Sequence, residues 1–207
     1  MNIIQTNFKY LKPLIPLDPN KVEIIFIHHP ASINATPEQI HQWHLSNGWS
    51  GCGYNEYITK DGAVHICRGD NIGAQVAGHN STSYGICLEG NYDIEPEPSA
   101  ELYRIVAERV VANQKKYKKA KTILPHYARG NTNCPGKNFS MGKLYDAINE
   151  IYKEGEKVEE ITNVSEAIQV LVDAKIINSP EYWENATNVV KFMDNLLLNM
   201  ANHIVRS

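Results

Sequence analysis

The chain has 207 residues, of which 43% are hydrophobic, and this is enough for one ordinary domain with a real core plus a smaller unit. Its formal net charge of −3 gives no reason to expect nucleic acid as the main partner. No apolar run reaches the ~18 residues of a membrane span, so membrane insertion is not expected.

The charges are unevenly spread along the chain. Residues 1–152 carry 15 basic and 14 acidic side chains, whereas residues 153–207 carry 5 basic and 9 acidic ones. The segment 153–163 is charged and poor in apolar residues, which is typical of a linker. We therefore predict a first domain over 1–152, a linker over 153–163 and a small helical domain over 164–207.

The first twenty residues, MNIIQTNFKYLKPLIPLDPN, lack the basic start, the continuous apolar run and the small-residue cleavage site of a secretory signal peptide. Four cysteines with scattered spacing do not form a disulfide framework, and a reduced state is the default; they are Cys52, Cys67, Cys87 and Cys134. We therefore expect the protein to be made in a cytoplasm.

The first strong element is the run VEIIFI at residues 22–27, which ends in His28 and His29. Its almost unbroken apolar and β-branched character predicts a buried central strand that delivers a histidine to the edge of the sheet.

A helix is predicted next, from Thr36 to about Leu45. Thr36 can cap it, and Gln39 stands at the third helical position of a capping box. His41 and His44 lie three residues apart on this helix and so share one face. With Trp43 and Trp49 they are candidates to border a binding groove, although solvated helix residues are the simpler interpretation.

A hairpin and a further strand follow. The segments YNEYIT (54–59) and AVHICR (63–68) flank the turn KDG, and SYGICLEG (83–90) is apolar at alternate positions. Ser99 is a plausible cap for a long helix that runs to about Tyr117. TILPHYARG then predicts a short strand that enters a loop, and MGKLYDAINEIYK predicts the last helix of the first domain.

The C-terminal segment predicts two helical runs, residues 164–177 and about Pro180 to Val205. Their apolar faces comprise Ile168, Leu171, Val172, Phe192, Met193, Leu196, Leu197 and Met200. About 44 residues are few for independent stability. We expect this unit to pack against the first domain or to form a homodimer through its helices.

The clearest chemical pattern is the loop HYARGNTNCPG, which holds His126 and Cys134. One cysteine thiolate with two imidazoles suits zinc, and three protein ligands leave the fourth position for water. The third ligand should come from a rigid element distant in sequence, and the strand end supplies His28 or His29. Adjacent strand residues point to opposite faces, so only one of the two can be the ligand.

From about Val22 to Tyr152 the chain resembles the zinc-dependent N-acetylmuramoyl-L-alanine amidase family, which is shared by phage endolysins, bacterial autolysins and peptidoglycan recognition proteins. The matching stretches are FIHHPAS, GWSGCGYNEYITKDGAVHICR, NIGAQVAGHNSTSYGICLEGNY and HYARGNTNCPG. The resemblance implies an α/β fold with a mixed central β-sheet flanked by helices, here followed by the small all-helical domain.

The same resemblance implies that His28, His126 and Cys134 bind Zn²⁺. It assigns Tyr54 as an active-site tyrosine that steadies the oxyanion or orients the water. Thr132 lies where the family places a lysine or threonine, which implies an auxiliary catalytic role. The alternative for Thr132 is a loop hydroxyl that bonds its own backbone.

Two positions depart from the family pattern. Cys87 stands where some members carry a catalytic glutamate, and Glu89 is the alternative on the same strand face. Gln75 replaces a histidine that normally lines the groove, which implies altered substrate contacts.

Four further residues are candidate substrate-binding positions. His79 and Asn80 are candidates to line the cleft, Trp49 to border it, and Arg68 to pair with a substrate carboxylate. A structural ion pair is an equally good interpretation of Arg68.

The resemblance implies hydrolysis of the amide bond between N-acetylmuramic acid and L-alanine in bacterial peptidoglycan, causing cell-wall lysis. The lack of a leader favours the phage endolysin branch, whose enzymes reach the wall after release by a holin. One alternative is a non-catalytic peptidoglycan-binding protein on the same scaffold. Another is a zinc-stabilised interaction domain, which would need Cys52 or His29 as a fourth ligand.

Overall fold

The computed structural model describes residues 1–156, 163–180, 183 and 193–205. The chain divides into two compact units, Met1–Ile151 and Tyr152–Ser207. A helix continues to Glu156 and so covers the start of the predicted linker. The rest of that linker, 157–162, lies outside the described residues. The domain limits at 152 and 163 therefore stay a prediction.

The first unit is built on a mixed β-sheet, as the resemblance implied, and the sheet has six strands. Its strands are β1 (Ile3–Gln5), β2 (Ile24–His28), β3 (Glu56–Ile58), β4 (Val64–Ile66), β5 (Ser83–Leu88) and β6 (Thr122–Pro125). The strand order is β1-β4-β3-β5-β2-β6. Only the β3–β4 hairpin is antiparallel, and every other pair runs parallel.

Strand β2 lies between β5 and β6. A parallel strand in this position is covered on both faces, which explains its unbroken apolar run. Its register places His28 beside Cys87 of β5. Strand β6 ends at Pro125, so His126 follows directly at the neighbouring strand end. The carboxyl ends of β2 and β6 thus bring two histidines from distant parts of the chain to one edge of the sheet.

Three helices complete the first unit: α1 (Pro37–Ser46), α2 (Ala100–Lys116) and α3 (Met141–Glu156). The predicted capping box at the start of α1 is confirmed, since the Thr36 side chain accepts from the Gln39 amide and the Gln39 side chain accepts from the Thr36 amide. The Ser99 side chain accepts a hydrogen bond from the Leu102 amide and caps α2, also as predicted. Local side-chain chemistry therefore sets where both helices begin.

The main core joins the sheet to α2 and α3. It includes Ile25, Ile27, Ile58, Val64, Ile86 and Leu88 from the strands, and Val106, Val110, Leu144 and Ile148 from the helices. A smaller apolar cluster lies near the first residues of the hairpin and contains Ala35, Ile40, Cys52, Tyr57, Cys67 and Cys87. The three cysteines therefore serve as small apolar residues, and all four cysteines of the chain are free thiols.

A buried ion pair ties α2 to β3. Glu56 is fully buried and accepts from Arg109 Nε at 2.9 Å and from Arg109 Nη2 at 2.6 Å. Tyr84 Oη at 2.9 Å and Asn113 Nδ2 at 3.1 Å donate to the same carboxylate. Each carboxylate oxygen thus has donors, as a buried charge requires.

The second unit contains two described helices, α4 (Val164–Asp173) and α5 (Met193–Val205). They share a small core made of Ala167, Ile168, Leu171, Leu197 and Ala201. Leu196 and Met200 were predicted on the same apolar face, but they are exposed. Phe192 lies outside the described residues. The homodimer through these helices stays a prediction.

No helix in the described ranges combines the length and the apolarity that a membrane crossing requires.

Candidate metal centre

Three side chains that the sequence singled out meet at the carboxyl edge of the sheet. They are His28 at the end of β2, His126 after β6, and Cys134 on the following loop, and their ligand atoms all lie within 4.8 Å of one another. His28 and Cys134 are buried, and His126 is half-buried. Within the residues described, no other group of three or more potential ligands has this geometry.

The structure also separates the two adjacent histidines, as strand alternation predicted. His29 Nδ1 accepts a hydrogen bond from the Tyr92 amide at 3.2 Å, and its ring stacks on Tyr92. The ring of His28 instead lies 4.7 Å from that of His126. Neither His29 nor Cys52, the suggested fourth ligands, belongs to the cluster. The described residues therefore offer three protein ligands at this site, one fewer than a closed tetrahedral site requires.

The cysteine loop is held closely against the sheet edge. Cys134 Sγ accepts from the His29 amide at 3.3 Å and lies 3.7 Å from His28 Nδ1. Gly136 has a φ of +99°, and a Cβ there would lie 2.5 Å from the backbone carbon of Tyr92. Only glycine fits this close approach without a backbone shift, so the loop conformation behind Cys134 depends on it.

Burial sets the protonation of the three groups before any metal binds. It lowers the pKa of His28 to about 3, and it also lowers the pKa of His126. Both imidazoles are therefore neutral at neutral pH and carry a lone pair. Burial raises the pKa of the Cys134 thiol to about 12, so this group keeps its proton until a cation displaces it.

Tyr54 lies beside the cluster, as the resemblance implied. The centroid of its ring is 5.3 Å from that of His28. Burial, followed by the nearby Cys87 and Cys134, raises the pKa of Tyr54 well above its usual value. The phenol therefore stays protonated and can donate a hydrogen bond into the site. The Cys87 side chain, on β5, is a direct neighbour of the Tyr54 hydroxyl.

Two histidines of α1 hold the segment that precedes Tyr54. His41 Nδ1 accepts from the Cys52 amide at 3.1 Å, and His44 Nδ1 accepts from the Gly53 amide at 3.0 Å. The interpretation of both as solvated helix residues is wrong for His41, which is 4% exposed and stacks on Phe8. Sequence reasoning missed this positioning role because the partners lie in a loop whose path the sequence does not give.

Aromatic rings form a continuous row from the surface to the metal cluster. Trp49 is 45% exposed, and its ring lies 4.6 Å from that of His44. His44 in turn lies 5.6 Å from Tyr54, which contacts His28. Trp49 therefore lies at the exposed end of this row, and its role at the border of a substrate site stays a prediction.

The remaining predicted positions are placed differently. The guanidinium of Arg68 donates to the carbonyl oxygens of Cys52 at 2.6 Å and Ile72 at 2.9 Å, so the backbone already occupies it. Asn80 Oδ1 accepts from the amides of Gln75 and Val76 and closes a turn. Arg68 and Asn80 therefore both stabilise the local backbone through hydrogen bonds. A substrate-binding role for either residue stays a prediction.

His79 is half-buried, and its ring lies 5.9 Å from that of Phe26. Glu89 accepts from the Lys60 amide at 2.8 Å, so its carboxylate lies at the hairpin turn and is not part of the metal cluster. Thr132 Oγ1 accepts from the Cys134 amide at 3.2 Å, which is the loop-hydroxyl role. Its own hydroxyl proton remains available to a neighbour.

The side-chain oxygen of Gln75 is fully buried and packs over Gly85 of β5, and the altered substrate contacts implied for this position stay a prediction. Its amide is a neighbour of His28, where it influences the pKa of the ring.

Comparison with known proteins gives a consistent result. Residues 18–137 match the family described as N-acetylmuramoyl-L-alanine amidase. The chain is 40% identical over 80 residues to an endolysin of Klebsiella phage KP32, covering 37% of this chain and 53% of that protein. It is 30% identical over 130 residues to peptidoglycan-recognition protein SC1a of Drosophila melanogaster, covering 56% of this chain and 69% of that protein.

Among solved structures, the chain is similar to the N-acetylmuramoyl-L-alanine amidase LysC from Clostridium intestinale URNW. The TM-score is 0.66 at 28% identity, over 72% of this chain and 98% of that one. The chain spans about half the length of the phage endolysins that it matches, with 47% to 53% of each covered.

Proposed function

The chain belongs to the N-acetylmuramoyl-L-alanine amidase family, and we propose that its first unit is a zinc-dependent enzyme of that activity. The reaction is hydrolysis of the amide bond between N-acetylmuramic acid and L-alanine in bacterial peptidoglycan. One observation carries the proposal: His28, His126 and Cys134 present their ligand atoms within 4.8 Å of one another at the edge of the sheet.

The donor set fits zinc. Two neutral imidazoles and one thiolate are ligands that zinc prefers, and a set of three is typical of catalytic rather than structural sites. His28 and His126 are neutral at neutral pH, so neither must lose a proton to bind. Bound zinc lowers the pKa of a coordinated water towards ~7 and polarises an amide carbonyl. The half-buried position of His126 leaves this side of the cluster accessible to substrate.

Tyr54 supplies the donor that amide hydrolysis needs. The tetrahedral state carries negative charge on the former carbonyl oxygen, and a preorganised hydrogen-bond donor stabilises it. The Tyr54 hydroxyl keeps its proton because burial raises its pKa, so it serves as this donor. The Thr132 hydroxyl, which accepts from the Cys134 amide, gives auxiliary help.

The substrate reaches this centre along the row of rings. Trp49 offers an exposed aromatic face, and sugar rings and stem peptides both bury apolar surface against such faces. His44 and Tyr54 continue the row inward to the reacting bond. His79 lies beside Phe26, the neighbour of His28, and completes the substrate-binding surface.

Digestion of purified bacterial cell walls tests the proposal. We expect new L-alanine amino groups without new reducing sugars, loss of release with a chelator, and recovery on adding zinc. Cys134→Ser should abolish release, whereas Cys67→Ser, a matched change at a cysteine outside the metal cluster, should retain it. Release of reducing ends, or release that a chelator does not affect, would contradict the proposal. Wall binding without any new ends would identify a non-catalytic peptidoglycan-binding protein.

The site of action follows from the same proposal. The enzyme acts on the cell wall, and release by a holin is the route by which a cytoplasmic endolysin reaches it. A time course of lysis with and without membrane permeabilisation would test this route.

A further inference from the structure

Two buried polar atoms at the metal cluster have no hydrogen-bond partner among the residues that the structure describes. They are His28 Nε2 and Gln75 Oε1, and each is almost completely shielded from solvent. An unpaired buried polar group destabilises the folded state, so two such atoms in neighbouring side chains call for an explanation. A hydrogen bond between them satisfies both, because an imidazole nitrogen can donate and an amide oxygen accepts.

A hydrogen bond to Asn55 sets the orientation of the Gln75 amide. Asn55 Nδ2 donates to the carbonyl oxygens of Gly69 at 2.7 Å and Asn71 at 2.8 Å, which leaves Asn55 Oδ1 as the acceptor. That oxygen accepts from the Gly85 amide at 2.8 Å and from Gln75 Nε2 at 3.4 Å. Since Gln75 turns its nitrogen to Asn55, its oxygen must face away from Asn55.

The strand register shows what the oxygen faces. Gly85 pairs with Phe26, and two residues further Cys87 pairs with His28, so these four residues share one face of the sheet. A Cβ added at Gly85 would lie 1.4 Å from Gln75 Oε1. The Gln75 amide therefore occupies the space above Gly85, on the sheet face that also carries His28, and it is a neighbour of the His28 ring.

The other nitrogen of the ring points to the metal cluster. His28 Nδ1 lies 3.7 Å from Cys134 Sγ. A ring that is neutral carries one proton on its two nitrogens, and the hydrogen bond made by one nitrogen decides which of them keeps the lone pair.

We propose that Gln75 is a positioning residue of the metal centre. Its Oε1 accepts a hydrogen bond from His28 Nε2–H, which orients the ring and leaves the Nδ1 lone pair directed at the metal. The inference deepens the proposed zinc site and rests on it. A ligating histidine commonly donates its second nitrogen to an acceptor in this way, and loss of that acceptor weakens metal binding on the order of 10- to 100-fold.

Zinc affinity, measured by competition with a chromophoric chelator, tests the role. Gln75→Leu removes the acceptor at similar volume and should weaken zinc binding on the order of 10- to 100-fold. Gln75→Glu keeps an acceptor and should restore binding to within about threefold of the parent, well inside that range. Gln114→Leu is the matched control, because it removes another buried amide on α2, whose Nε2 donates to the Ala120 carbonyl, and should leave affinity unchanged.

The second readout needs no metal. Long-range ¹H–¹⁵N spectra of the metal-free protein should show His28 protonated at Nε2 and bare at Nδ1. The Gln75→Leu protein should show a mixture of both tautomers. This measurement on the parent protein also decides the question if the leucine variant does not fold.

Two results would overturn the inference. The first is a folded Gln75→Leu protein whose zinc affinity lies within about twofold of the parent's, a much smaller loss than expected. The second is a parent protein in which His28 carries its proton on Nδ1. Failure of the parent protein to bind zinc is distinguishable, since it would remove the proposed function while the tautomer spectrum still tests the Gln75 contact.

Discussion

The buried carboxylate of Glu56 gives a sharp test of how the fold supports the site. Glu56 begins β3, two residues after Tyr54, and its carboxylate binds α2 through Arg109. The Glu56 side chain is 0% exposed and that of Arg109 is 14% exposed. Glu56→Gln keeps the size of the side chain but removes its charge, so the Arg109 guanidinium stays buried without a counter-ion.

The expected loss of stability follows from this burial. Breaking a buried ion pair from one side costs about 3–5 kcal/mol, because the remaining charge is not compensated. The amide adds to this loss, since its nitrogen would face a donor wherever it lies: Arg109 Nε in the place of Oε2, or three donors in the place of Oε1. For a chain of this size, each kcal/mol lowers the melting temperature by about 2–4 °C, so we expect a fall of roughly 6–20 °C.

Equilibrium urea unfolding measures the change, with Trp43 and Trp49 as fluorescent probes in the first unit. Glu97→Gln is the matched control, because Glu97 pairs with Lys143 at the surface, where the side chains are 45% and 57% exposed. Exposed pairs contribute about 0–1 kcal/mol, so this control should unfold almost as the parent does. A Glu56→Gln protein that loses less than about 1 kcal/mol, as a surface pair would, refutes the reasoning.

Three further predictions concern the metal centre. Tyr54→Phe should lower kcat roughly 10²- to 10³-fold with unchanged zinc content by elemental analysis, because it removes the oxyanion donor; a loss below the range expected for one such donor would assign the tyrosine to packing. Thr132→Val should lower kcat only about 2- to 10-fold, the value of one ordinary hydrogen bond, and a larger loss would make Thr132 a principal catalytic group. Zinc binding at pH 7 should release about one proton, measured by calorimetry in buffers of different ionisation enthalpy. Burial raises the pKa of Cys134 to about 12, so the thiol is protonated at pH 7 and must lose its proton to bind zinc. Burial lowers the pKa of both histidines, so they have no proton to lose. A binding reaction that releases no proton would contradict this assignment.

The elements set by local chemistry could be predicted from the sequence. The VEIIFI run gave the central strand, and the side chains of Thr36 and Ser99 gave the starts of two helices. Strand alternation required that only one of His28 and His29 faces the site, and the structure confirms this requirement. These features depend on neighbours within a few residues, which a sequence shows directly.

The features that depend on distant partners could not be predicted. Strand β1 is short and exposed, and it exists because it pairs with β4, some sixty residues further along the chain. His41 is buried because Phe8 stacks on it. The Gln75 amide packs against the sheet because Gly85, ten residues further along the chain, leaves space for it. Each of these placements needs the tertiary structure, since no local pattern names the partner.

X-ray absorption at the zinc edge of the metal-loaded protein tests the central claim most directly. We expect one sulfur at about 2.3 Å, from Cys134, and three nitrogen or oxygen ligands at about 2.0–2.1 Å, from His28, His126 and a solvent molecule. The sulfur contribution should disappear in Cys134→Ser. A spectrum without sulfur, or with two or more sulfurs, would show that these three side chains do not form the zinc site.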